Sequence, residues 1–105
     1  MSSPPDAGKQ ALLNAIEQRI LRGPGMAAPE LRAKAFERSG LPEPLAALVD
    51  KVAKRALRVT DADFAVALRA GFSEDQLFEL VICAAVGESS RLYKAGQAAL
   101  ADSSD

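Results

Sequence analysis

The chain has no histidine and no tryptophan, and a single cysteine, Cys83, in 105 residues. Without imidazole there is no ordinary general base near neutral pH, no His-dependent triad, and none of the commonest metal ligand. One thiol excludes an intramolecular disulfide framework and suits a reducing compartment, so a cytoplasmic location is expected. Aromatic residues are only 5%, so a core must be built mainly from Leu, Ala, Val and Ile. No stretch approaches the roughly 18 to 20 apolar residues of a membrane span. The opening Met-Ser-Ser-Pro-Pro-Asp has neither the basic nor the apolar region of a signal peptide. An excess of one charge is also missing: 13 Lys and Arg face 14 Asp and Glu, for a net charge of −1. That balance argues against nucleic acid as a partner, because phosphate binding calls for a concentrated basic surface.

What is present is a regular helical punctuation in a chain that is 49% hydrophobic and of single-domain length. Residues 1–5 and 102–105 are polar and expected to be disordered, leaving one domain over 6–101. Asp6 is placed to cap a first helix with Leu12, Leu13, Ile16, Ile20 and Leu21 on one face. Gly23-Pro24-Gly25 ends it. Pro29 opens a short second helix with Leu31, Ala35 and Phe36 inward and Gly40 as its stop. A third helix from Pro42 or Pro44 to about Leu57 should bury Leu45, Leu48, Val49, Val52 and Ala56. Thr60-Asp61-Ala62-Asp63 reads as a variant capping box for a fourth, which Gly71 stops. Ser73 and Gln76 form a further capping box, and the helix behind it can run to about Ala101. No segment alternates with period two, so the fold class is all-α with about five helices.

The first half of that last helix, Leu77 to Val86, leaves almost no polar face. A helix apolar all round is normally buried on every side, and so short a domain has few elements to surround it. A long apolar C-terminal helix and a homo-oligomer formed through Leu77, Phe78, Val81, Ile82 and Ala85 are therefore expected. Gly87 marks a close helix approach or a kink.

The hinge Ala67-Leu-Arg-Ala-Gly71-Phe-Ser73-Glu-Asp-Gln-Leu-Phe-Glu-Leu80, followed by Val-Ile-Cys-Ala-Ala-Val, resembles the alkylhydroperoxidase-D-like and carboxymuconolactone-decarboxylase-like family over roughly Pro42 to Leu100. The resemblance implies a small all-helical domain that assembles into homo-oligomers. Redox members carry Cys-x-x-Cys-x-x-x-His shortly before the glycine hinge. Those positions fall close to Ala56, Val59 and Asp63 here, and none is cysteine or histidine. The family's upstream acid would fall near Pro44, beside Glu43. Thiol–disulfide chemistry needs a thiolate and a resolving partner, so peroxidase activity is not expected to carry over.

Cys83, well inside its helix, reads as a small core hydrophobe. Lys51, Lys54, Arg55 and Arg58 recur at helical spacing and form a basic stripe. The stripe is a candidate site for an anion or an acidic partner, or else a solvated face or one paired with Asp61, Asp63, Glu74 or Glu79. Glu79 and Glu88, with Arg91 and Tyr93, would supply acid–base groups if they converged; nine residues apart on one helix, the two glutamates need not. No catalytic, metal or cofactor-binding residue is assigned. The favoured expectation is a non-peroxidase, homo-oligomeric binding or scaffold protein for a small anionic or apolar ligand, with no membrane or nucleic-acid partner. The alternative is a thiol-independent decarboxylase or isomerase acting on a small anionic substrate, with Glu79 or Glu88 facing Arg55 or Arg58.

Overall fold

The computed structural model describes residues 7–103. Among them lie five α-helices and no strand: α1 (Ala7–Arg22), α2 (Pro29–Glu37), α3 (Leu45–Arg55), α4 (Asp61–Arg69) and α5 (Glu74–Ser103), with a 3₁₀ turn over Ala56–Arg58. The expected cap at Asp6 and the segment 1–5 lie outside the described residues. At the other end, Asp102 and Ser103 belong to α5.

Local chemistry sets most of these boundaries. Pro29 occupies the first turn of α2, where its missing N–H removes no helical bond. The end of α2 falls earlier than the expected stop at Gly40. Arg38 takes the left-handed conformation at φ 55°, and its N–H and that of Ser39 close back on Ala35 and Lys34. Before α4, the Asp63 carboxylate accepts the Thr60 N–H at 2.8 Å. The turn into α5 passes through Gly71 at φ 108°. Ser73 and Gln76 then satisfy each other's backbone N–H groups at 2.9 and 3.1 Å.

Helix α5 is the axis of the molecule, and α1, α2, α3 and α4 all pack on it. Thirty residues make it about 45 Å long at 1.5 Å per residue, which accounts for an envelope of 55 × 28 × 21 Å. Its inward residues Leu77, Leu80, Cys83 and Ala84 meet Ala35 of α2, Leu45, Leu48 and Val49 of α3, and Ala67 of α4. Two expectations need correction here. Ala56 is exposed rather than buried, because α3 ends at Arg55 and the chain winds on as a 3₁₀ turn. Helix α5 is long but not apolar along its length: beyond Val86 it carries Glu88, Ser89, Ser90, Arg91, Lys94 and Gln97. No helix of the described residues is long and apolar enough to cross a membrane.

At Gly87 two helix backbones meet closely: a methyl group there would overlap the Phe36 carbonyl of α2. Arg91, one turn on, donates to that same carbonyl at 2.7 Å. Glycine is required there because the α2 backbone occupies the space of a side chain. Gly87→Ala is expected to push α2 off α5 and to cost about 1–3 kcal/mol, the usual penalty of overpacking. The shift in the urea midpoint measures it.

Candidate functional site

The lone thiol sits at the floor of a small cleft of about 180 Å³ lined by Arg19, Ile20, Pro24, Arg32, Glu79, Ile82 and Cys83. Its polar groups hold the chain together. Arg32, only 5% exposed, donates through Nη1 to the carbonyls of Ile20 and Gly23 at 3.1 and 2.8 Å. It thereby closes the C-terminal end of α1. Glu79 accepts the N–H of Met26 at 2.8 Å and that of Ala27 at 2.9 Å. A side chain on Gly25 would collide with the Glu79 carboxylate, so glycine lets the loop lie on the acid. Cys83 Sγ rests 3.7 Å from the Ile20 carbonyl. Burial pushes its pKa up to about 11; Arg32 opposes the rise and Glu79 adds to it. Thiolate chemistry requires the opposite environment.

The family positions hold other work. Ala56 is exposed in the 3₁₀ turn, and Val59 is half-buried against the core. Asp63 binds Lys51, with Nζ–Oδ2 at 2.9 Å. That hydrogen bond, followed by the one from Thr60, lowers the Asp63 pKa. Glu43 accepts the Ala47 N–H at the start of α3.

The basic stripe divides. Lys51 is committed to Asp63, and Lys54 lies 3.2 Å from Asp50. Arg55 and Arg58 are exposed and enter no ion pair among the described residues. The 3₁₀ turn takes Arg58 off the helical face that its spacing implied. The two glutamates also separate. Glu88 pairs with Arg38 at 3.4 Å and with Arg91 at 3.3 Å, and Arg38 continues to Asp50 at 3.5 Å. This ladder joins α2, α3 and α5. Tyr93 points toward α1, lining an apolar cleft of about 310 Å³ with Leu12, Leu13, Ile16 and Ser89. Among the described residues no group of three or more His, Cys, Asp or Glu is placed to hold a metal ion.

The residues expected at a subunit interface are split by α5 itself. Leu77 is 1% exposed and belongs to the core, because the first turn of α5 sits on α3 and α4. Phe78 is 65% exposed, Ala85 is exposed, and Val81 and Ile82 are half-buried at the margins. Exposed Leu92 extends the outer face. Phe78, Ile82, Ala85, Ser89 and Leu92 recur at alternating spacings of four and three, the pattern of a helix seam that packs on another helix. That signal was legible in the sequence beyond Ala85. The backbone-anchoring roles of Arg32 and Glu79 were not, since each binds chain distant in sequence or in a loop.

These features define an all-helical domain whose polar clusters stabilise chain ends and whose outer α5 face is apolar. Compared with protein-family models, curated proteins and solved structures, the chain shows no match.

The raised Cys83 pKa has a direct chemical consequence. Against the ordinary thiol value of 9.0, a pKa of about 11 leaves roughly one hundredth of the thiolate at neutral pH. Iodoacetamide should label the native protein at least about a hundredfold more slowly than the unfolded chain. Mass spectrometry of quenched time points reads both rates.

Proposed function

We propose that this protein is a non-peroxidase relative of the alkylhydroperoxidase-D-like fold, acting in the cytoplasm as a homo-oligomeric binding or scaffold domain. The observation that carries the reading is the outer face of α5, where Phe78 and Leu92 stand exposed on either side of Ala85. Scattered surface leucines are ordinary, but large apolar residues in one helical seam favour a partner helix. Small Ala85 and Ser89 between them allow two backbones to approach. Half-buried Ile82 lies in the seam and Val81 flanks it.

The chemistry of the interior supports binding or scaffolding over catalysis. The one thiol is buried with a raised pKa, and the carboxylates of Glu79 and Glu88 are engaged in separate places. An apolar ligand has its best-matched surface in the cleft between α1 and α5, beside Leu12, Ile16 and Tyr93.

Ala85→Glu tests the assembly face without touching the core, because Ala85 is exposed in the single chain. Light scattering is expected to show the variant at a smaller mass than the wild type, with unchanged helical circular dichroism. A variant that keeps the wild-type mass would remove α5 as the contact.

A further inference from the structure

Two further surface features stand beside the α5 seam, the second sharing Phe78 with it. The first is Leu57, which stands fully exposed at 103% on the 3₁₀ turn. It is flanked by Arg55 and Arg58, both exposed and in no ion pair among the described residues. A leucine at such exposure gains nothing from the fold of its own chain. Between two cations, it forms an apolar knob with a positive collar.

The second is a groove of about 510 Å³ between α4 and α5. Phe64, Leu68 and Phe78 form its apolar walls over buried Leu77, and Asp61, Glu74 and Asp75 form its rim. These three carboxylates are exposed and in no ion pair among the described residues. They occupy the first turns of α4 and α5, where negative charge complements the helix dipole. The residues that start both helices thus also make the groove mouth acidic.

We propose that the Leu57 knob of one copy inserts into the α4–α5 groove of a second copy, with Arg55 and Arg58 against Asp61, Glu74 and Asp75. The occupant is a second copy because this chain carries both complements, apolar for apolar and cation for anion. Arg58 and Asp61 are separated by only two residues, so knob and groove mouth share one patch. A two-fold axis through that patch makes both insertions at once and closes the pair, where a head-to-tail contact would run on as a filament. Leu57 supplies the apolar burial. The exposed charges set register and association rate more than affinity.

This inference rests on the homo-oligomer reading but uses a contact of its own; Phe78 is common to both surfaces, whereas Ala85 belongs to the seam alone. The test compares the masses of wild type, Leu57→Asp, a knob-reversed chain (Arg55→Glu, Arg58→Glu) and a groove-reversed chain (Asp61→Lys, Asp75→Lys), with circular dichroism confirming each fold. Leu57→Asp and each reversed chain alone should associate at least about tenfold more weakly than wild type. Mixing the two reversed chains should restore the pair, because every insertion in the mixed pair is again between opposite charges. If Leu57→Asp keeps the wild-type mass, or mixing restores nothing, the knob contact is overturned and the α5 seam stands untouched. If Leu57→Asp dissociates while Ala85→Glu does not, the knob is upheld and the seam is overturned. A wild-type monomer overturns both and leaves the groove to a cationic segment of another protein.

Discussion

The close approach of α2 to α5 at Gly87 is the constraint on which the rest of the structure depends. With no side chain at Gly87, the Phe36 carbonyl settles onto the α5 backbone. That depth brings Arg91 within reach of the same carbonyl and lets Arg38, at the end of α2, span from Glu88 to Asp50. Arg38 accepts a left-handed backbone that favours glycine, and its side chain then ties α2 to both α3 and α5. From the other end of α2, buried Arg32 anchors the last turn of α1. The missing side chain at Gly87 thus sets how closely α2 lies on α5, and α2 in turn carries the polar ties to α1 and α3.

Much of this was legible in the chain. Gly23-Pro24-Gly25, Pro29, Thr60 with Asp63, and Ser73 with Gln76 mark helix ends by chemistry that acts over a few residues, and the helices fall there. The close approach at Gly87 was one of two readings left open. Errors arose where the deciding interaction was distant. Leu77 looks like its neighbour Phe78 in sequence, yet one turns into the core and the other into solvent. Helix α2 stops at Arg38 rather than Gly40: Arg38 takes the left-handed backbone, its N–H and that of Ser39 close the end on Ala35 and Lys34, and its side chain pairs with Asp50 and Glu88 on other helices. Glu79 read as a candidate acid; its carboxylate instead receives the N–H groups of a loop about fifty residues away. Helical spacing put Arg58 on a stripe that ends with α3 at Arg55.

Several of the molecule's polar groups serve its own backbone. Arg32, Glu79, Glu43 and Asp63 each satisfy main-chain groups at helix ends or in loops, and Lys51, Lys54, Arg38 and Glu88 pair between or along helices. Turned outward are the apolar Phe78, Ala85 and Leu92 along α5, Leu57 on the 3₁₀ turn, and the charges of Arg55, Arg58, Asp61, Glu74 and Asp75, which enter no ion pair among the described residues. With the inner face of α5 already covered by four helices, the account we propose gives the outer face the task of meeting another copy.

That claim is tested most directly by the mass of the unaltered chain in solution. Sedimentation equilibrium across the micromolar range, at moderate salt, should yield a mass at least twice 11.0 kDa, falling toward the monomer only on dilution. A single 11.0 kDa species at every concentration would contradict the account, because the apolar residues on α5 would then face water with no copy to cover them.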